Sequence, residues 1–457
     1  MLASIKVAAN YFGSQSWGIY VTSFAIITLL VAVEDFGLQT IVAREISLKQ
    51  NLKNKIFKSS LFLRILLSVG AIALTLTAGY IMYPHKRIVF VIALLSCPIL
   101  TADAIQSSCF SVFQADEKIG KVGLVEFIGA ALSFMSSITV SQWHLTLHIF
   151  ALMQSGSALI AGIVALLMLK GNSQSDQSEQ LNTKVSWRHL IKTTTPFGIV
   201  ILVNTAYIQI DTILLSLFKD STMVAWYGLS ALIAQFVMSA TSFLMSGLLP
   251  KLSTETIDNV FKILQKVCNF LFALGVITVI GSLAVSRSLI LTIMSTQFLG
   301  SVNPLKILIF GVFVSSQYAI YGNSLVARGK EKSLIKVGLS VLFINVIFNL
   351  ILIPTYGAIG SAAAIIVSET VSATLTTLYF YKYFKKVFIP ENYLRVILAG
   401  CGSVVVWLVL VKLNYLPARP ILNCITLGLA ILGTYLIILF YRPLFKAIKT
   451  TSRNTQS

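Results

Sequence analysis

The sequence predicts an all-α, many-span membrane protein, and three observations lead there. The 457 residues are 56% hydrophobic and only 11% charged, with a mean hydropathy of +0.85. Apolar runs recur from one end to the other, each as long as a helix that crosses a hydrocarbon layer of roughly 30 Å at about 1.5 Å per residue. Lys and Arg gather in short clusters between those runs. A water-soluble domain must cover itself with polar side chains, so soluble enzymes are excluded. The net charge of +19 is divided among separate loops, which marks a membrane face and excludes a nucleic-acid binder.

The spans fall at 17–42, 57–83, 87–113, 122–143, 146–170, 191–217, 223–250, 261–284, 302–327, 333–354, 356–381, 394–413 and 420–441, thirteen in all. Spanning strands would be about half as long and would alternate in polarity, so these are helices. The loops that hold Arg44, Lys53, Lys118, Lys184, Lys262, Arg328, Lys385 and Arg442 share one face with 26 of the 35 cations. The other face holds 6, Lys86, Arg87, Lys219, Arg287, Lys412 and Arg419, and the remaining 3 are Lys6, Arg64 and Lys306, in or near apolar segments. That asymmetry assigns the richer face, and with it the C-terminus, to the cytoplasm.

Thirteen spans with a cytoplasmic C-terminus would start residue 1 outside. Residues 1–12 contain Lys6 and Asn10 and make a poor signal peptide. They are read as the tail of a truncated first helix, with the start shortened relative to a fourteen-helix parent. The polar stretch GNSQSDQSEQL at 171–181 divides the chain. The expected organisation is an N-terminal lobe over 1–170, a cytoplasmic linker over 171–190, a C-terminal lobe over 191–386, and two extra helices with a tail over 387–457. KVGL occurs at 121–124 and again at 336–339, each time opening a helix after a basic loop. The expected arrangement is two six-helix lobes with pseudo-two-fold symmetry, and a substrate space between them.

Cys97, Cys109, Cys268, Cys401 and Cys424 all lie in apolar stretches without a CxxC pair, so neither a disulfide framework nor a zinc site is indicated. No cofactor or metal is expected. His144 and His148 stand at i, i+4 spacing near an external turn without further ligands and read as interfacial.

Several stretches resemble the polysaccharide-biosynthesis flippases, the O-antigen or repeat-unit translocases of the multidrug/oligosaccharidyl-lipid/polysaccharide exporter superfamily. NVIFNLILIPTYGAIGSAAA at Asn345 to Ala364 is similar to that family's asparagine-rich helix, proline-glycine turn and small-residue helix. YFGSQSWGIY and EDFGLQTIVAREIS, between Tyr11 and Ser47, resemble its first outer turn and second helix. Thr195-Pro196, Asp211-Thr212-Ile213 and ARGKEK at Ala327 to Lys332 add weaker matches. The resemblance implies an inner-membrane transporter of undecaprenyl-diphosphate-linked oligosaccharide for O-antigen or capsule, working beside polysaccharide polymerase and assembly proteins.

No phosphate-binding loop is present, so coupling would come from an ion or substrate gradient. A charge at the bilayer centre costs at least about 2.5 kcal/mol and survives where it faces a cavity or a partner. The candidate ion-coupling carboxylates are Asp103 and Glu369, nearest the midplane, together with Asp211, Glu34 and Asp35. Each has an alternative role as an interhelical pair. A diphosphate headgroup calls for cations, and Arg64, Lys306 and Lys6 are the candidates, with snorkelling toward the interface as the other reading of Arg64 and Lys306. Asn204, Gln209, Asn345 and Asn349 read as interhelical hydrogen bonders or as sugar contacts. Gly37, Pro196, Gly198, Pro354 and Gly357 are candidate flex points. The runner-up function is a cation-coupled multidrug exporter of the same superfamily. A membrane polymerase or ligase fits less well, because the longest external segment, 285–303, is modest and carries only Arg287. The chain is therefore not expected to be an enzyme.

Overall fold

The computed structural model describes residues 2–84, 86–170, 187–330, 332–391, 393–413, 417 and 419–454. The side chains of Lys170, 187–189 and 440–454 are outside that description. Of the linker expected at 171–190, residues 171–186 also fall outside it, and the remainder begins α8. The helices are α1 (Leu2–Asp35), α2 (Leu38–Leu48), α3 (Lys53–Met82), α4 (Arg87–Ser96), α5 (Pro98–Ala115), α6 (Ile119–Gln142), α7 (Leu147–Lys170) and α8 (Trp187–Phe218). They continue as α9 (Ser221–Thr254), α10 (Ile257–Ile293), α11 (Val302–Ala327), α12 (Lys332–Tyr356), α13 (Ala358–Phe384), α14 (Tyr393–Lys412) and α15 (Pro420–Asn454). No strand occurs among the described residues, and 13 helical stretches are long and apolar enough to cross a membrane. The chain is an all-α, multi-pass membrane protein, as its composition requires.

One observed helix and two predicted spans are broken where the sequence supplies a reason. Gly13, with φ 73° and ψ 171°, interrupts α1, so the residues before it and those after it form separate helical pieces. The span predicted at 17–42 breaks at Phe36 (φ 40°) and Gly37 (φ 77°), which separate α1 from α2. The span predicted at 87–113 divides at Cys97, because Pro98 has no N–H to continue the α ladder. The chain tightens there through Cys97 N–H to Leu94 O and Leu100 N–H to Cys97 O. Pro196 and Pro354 both remain inside helices, α8 and α12.

The chain forms two compact units, Met1–Ala225 and Trp226–Ser457. In the first, Leu38, Val42 and Ile46 of α2 pack with Ile56 and Leu63 of α3 and Val112 of α5. In the second, Leu264 and Leu271 of α10, Tyr321 and Leu325 of α11 and Phe380 of α13 share a core. Lipid is as apolar as leucine, so close backbone approach must hold such helices together. Gly360, Ser361, Ala362 and Ala364 give α13 a small-residue face that is fully or almost fully buried, and α13 packs extensively on α11 and α12. A Cβ at Gly360 would run into the Leu352 carbonyl. The last two helices pack on α10 through Val396, Ala399 and Tyr435, whose hydroxyl donates to Ala273 O at 2.8 Å.

Candidate functional site

The break between α1 and α2 places two consecutive carboxylates at the end of α1, facing α3. Arg64 of α3 donates from Nη1 to Glu34 Oε1 at 3.2 Å and from Nη2 to Asp35 Oδ1 at 2.6 Å. The Arg64 and Glu34 side chains are fully buried, and Asp35 retains 17% of its side-chain exposure. A guanidinium that deep in a span is tolerated because its planar fork meets two carboxylates at once. Snorkelling toward the interface does not describe this geometry.

Asp35 has a second set of partners. Its Oδ2 accepts from Gly37 N–H at 3.2 Å and its Oδ1 from Gln39 N–H at 3.1 Å. These are amides at the start of α2, where no earlier helical carbonyl can serve them and where the helix dipole favours an anion. The left-handed backbone of Gly37 makes this turn, and the Phe36 ring lies against Gly198 of α8.

Asp103 of α5 completes the group. It accepts from Ser107 Oγ at 3.2 Å and lies close enough to Glu34, Asp35 and Arg64 for its charge to act on theirs. Glu34 Oε2 receives no N–H or O–H donor among the described residues. Like charges buried together repel, so a proton on either acid would ease the group. Fully ionised, three carboxylates would face a single guanidinium. One bound proton halves the excess negative charge.

Four of the residues singled out in the sequence thus come together: Arg64, Glu34, Asp35 and Asp103. The charges acting on Glu34 and Asp103 are Arg64, Asp35 and each other. Asp211 is buried on α8, and Lys6 is exposed on the first piece of α1. In the second unit Lys306 is half-buried near the start of α11, and Glu369 of α13 accepts from the Tyr318 hydroxyl of α11 at 2.7 Å. Ser315 and Ser372 also hydrogen-bond Tyr318. Sequence reasoning did not pick out Tyr318, although the polar run Ser315-Ser316-Gln317 beside it in an apolar span was a usable signal. Asn345 and Asn349 are fully buried on α12, with Asn349 Nδ2 donating to both the backbone and side-chain oxygens of Asn345. Among the described residues no group of three His, Cys, Asp or Glu side chains forms a metal-ligand set.

Comparison with known proteins places this architecture. Residues 5–254 match the family described as "Polysaccharide biosynthesis protein", a stretch that includes the whole Arg64 cluster. The capsular polysaccharide biosynthesis protein CapF of Staphylococcus aureus is 32% identical over 109 residues, which is 24% of this chain and 27% of that protein. An uncharacterized membrane protein of Methanocaldococcus jannaschii is 25% identical over 264 residues, 55% of this chain and 51% of that protein. The chain therefore spans about a quarter and about half of these relatives' own lengths. Among solved structures, the lipid II flippase MurJ in its inward closed conformation is similar with a TM-score of 0.81 at 15% identity, covering 97% of each chain. An inward-facing multidrug resistance MATE family transporter of the MOP superfamily has a TM-score of 0.64 at 15% identity, covering 84% of this chain and 93% of its own. At such identities the likeness concerns the fold. With a family match over more than half of its residues and a helical architecture shared with MurJ and MATE transporters, the chain belongs to the polysaccharide biosynthesis protein family of membrane proteins.

Proposed function

We propose that the protein translocates an undecaprenyl-diphosphate-linked oligosaccharide repeat unit from the cytoplasmic to the outer leaflet of a bacterial inner membrane, for surface polysaccharide assembly. The observation that carries this reading is the buried Arg64–Glu34–Asp35–Asp103 cluster, which lies inside the family-matched segment. Its Glu34–Asp103 pair supplies a proton-binding site within a span, and uptake and release of that proton couples translocation to the ion gradient. Glu369 with Tyr318, and Asp211, are secondary coupling groups. Arg64 is engaged by two carboxylates, so in this reading it tunes the proton site. Contact with the diphosphate falls to Lys306 and Lys6, and to Arg64 only when protonation releases it. The C-terminus is cytoplasmic, and polymerase or assembly proteins receive the product.

The test is leaflet-specific labelling of the lipid-linked glycan in cells that carry the wild-type chain, Glu34→Gln, Asp103→Asn or no chain. The wild type should expose glycan on the outer leaflet, and both variants should retain it on the inner leaflet at equal protein abundance. Outer-leaflet glycan that does not depend on the chain would overturn the reading. If cells lacking the chain instead become drug-sensitive with unchanged glycan, a cation-coupled exporter takes its place. The fold shared with a multidrug transporter supports that second reading.

A further inference from the structure

Residues 385–390 lie between the spanning helices α13 and α14, and therefore at a membrane face. The first of them ends α13: Lys385 has a left-handed φ of 53°, and its N–H donates to Tyr381 O at 2.8 Å. The residues that follow belong to no helix and are held by side chains of α10 and α11 instead. The Tyr321 hydroxyl accepts from Phe388 N–H at 3.0 Å and donates to Phe388 O at 3.1 Å. Gln265 Nε2 donates to Ile389 O at 2.7 Å, and Asn269 Oδ1 accepts from Glu391 N–H at 3.0 Å. These bonds satisfy backbone groups that no helix serves, and they make the segment a strap bound to the second unit.

The strap is apolar on both sides. Phe388 is buried among the rings of Phe261, Tyr321 and Phe380. Its neighbours Val387 and Ile389 are exposed, Ile389 by 67%. Lys385 and Lys386 are exposed beside them. The Lys386 ammonium stands 4.5 Å from the centre of the Phe261 ring, and that of Lys385 stands 5.5 Å from the centre of the Tyr381 ring. A ring face attracts an ammonium without using up its N–H donors. Among the described residues neither lysine is ion-paired with a carboxylate. Between 382 and 395 the sequence has four cations, Lys382, Lys385, Lys386 and Arg395, and one acid, Glu391.

Two exposed aliphatic side chains next to two ammonium groups at a membrane face match the two parts of an anionic phospholipid. The aliphatic pair suits the acyl boundary, and the ammonium pair suits the phosphate layer. A soluble anionic partner would leave Val387 and Ile389 in water.

We propose that 385–390 is a docking strap for anionic phospholipid, with Lys385 and Lys386 on headgroup phosphates and Val387 and Ile389 in the acyl boundary. The strap serves this role whatever the protein transports. Lipid held there bears on α10 and α11 through Phe388, so its binding also stabilises the second unit.

The test places the full chain in nanodiscs of phosphatidylcholine with a rising fraction of phosphatidylglycerol. Native mass spectrometry counts the lipid retained, and a thermal scan accompanies it. The wild type should retain phosphatidylglycerol in preference to phosphatidylcholine and melt at a higher temperature with it. Lys385→Gln with Lys386→Gln should fold normally, since both ammonium groups are exposed, and should weaken phosphatidylglycerol retention about tenfold or more. Val387→Ser with Ile389→Ser should lower retention of both lipids. Lys332→Gln with Lys336→Gln removes as many exposed charges from the start of α12 and should retain lipid like the wild type. Equal loss in that third pair would reduce the effect to overall charge and overturn the assignment. A wild type without headgroup preference would overturn it as well, as would undiminished retention in the Lys385/Lys386 variant. Displacement of phosphatidylglycerol by undecaprenyl phosphate at far lower mole fraction would hand the surface to another lipid and also defeat it.

Discussion

The Phe36 ring and Gly198 fit together because the glycine has no side chain: a Cβ at 198 would stand 2.7 Å from three atoms of that ring. The contact joins the α1–α2 break to α8, two residues beyond Pro196. Gly198→Ala should therefore overpack the joint and cost about 1–3 kcal/mol. Phe36→Leu combined with Gly198→Ala should recover most of that loss. Thermal midpoints in detergent, measured for both single variants and the double, check this.

Gly37 should be almost as intolerant for a different reason. Its φ of 77° is left-handed, and a Cβ there would lie 3.1 Å from the backbone nitrogen of Gly198. Gly37→Ala is expected to lose about 1–2 kcal/mol from backbone conformation alone. Gly37→Asn should lose less of that part, since asparagine enters this region more readily. Denaturant or thermal unfolding of the pair separates the two contributions.

Removing Arg64 leaves buried carboxylates uncompensated. Arg64→Met should destabilise by about 3–5 kcal/mol, the usual cost of breaking a buried ion pair from one side. Arg64→Met with Glu34→Gln should recover part of it, because a neutral amide needs no counter-charge. Arg64→Lys should remain impaired, since a single ammonium does not reproduce the fork to Glu34 and Asp35. Folded yield and thermal midpoint across the three variants would reveal the order.

Tyr318→Phe removes the hydroxyl that Glu369 accepts at 2.7 Å. Loss of one donor to a buried carboxylate should cost about 1–3 kcal/mol. Glu369→Gln keeps an acceptor oxygen for Tyr318 and should cost less. A Tyr318→Phe protein as stable as the wild type would show that this bond is not a structural support.

Lys86 allows a prediction about pH. Burial beside Tyr83 lowers its pKa from the ordinary 10.5, partly offset by Asp220. In the window between the lowered value and 10.5 the unfolded chain binds more protons than the folded one, so stability rises with pH there. Over alkaline scans the wild type should gain on Lys86→Met as pH climbs toward 10.5, and identical slopes would contradict the assignment.

Much of the fold was legible in the sequence because a bilayer leaves few choices. Apolar length alone marks a spanning helix, and thirteen such stretches occur among the described residues. The breaks were harder to read. Gly13, Gly37 and Pro98 are all visible, yet Pro196 stays inside α8 without ending it, so residue type alone does not tell a break from a bend. Within the site, burial of charge singled out Glu34, Asp35, Arg64 and Asp103 one by one. Their grouping was not readable, because helical periodicity gives the face of each helix without its register against the next. Arg64 was therefore expected in a phosphate-binding role apart from the acids it touches. The Lys86 contacts with the carbonyls of Ser216, in the last turn of α8, and of Lys219, just beyond it, carry no sequence signature at all.

Asp35 works for two masters. The same carboxylate anchors Arg64 and accepts from the first amides of α2, whose far end is Leu48, beside the basic loop. A substitution at Arg64 and one that shifts the backbone at Gly37 therefore reach the same carboxylate by different routes. Their effects should depend on genetic background: either change alters how much the other matters, and the order in which such residues can diverge between related chains is constrained accordingly.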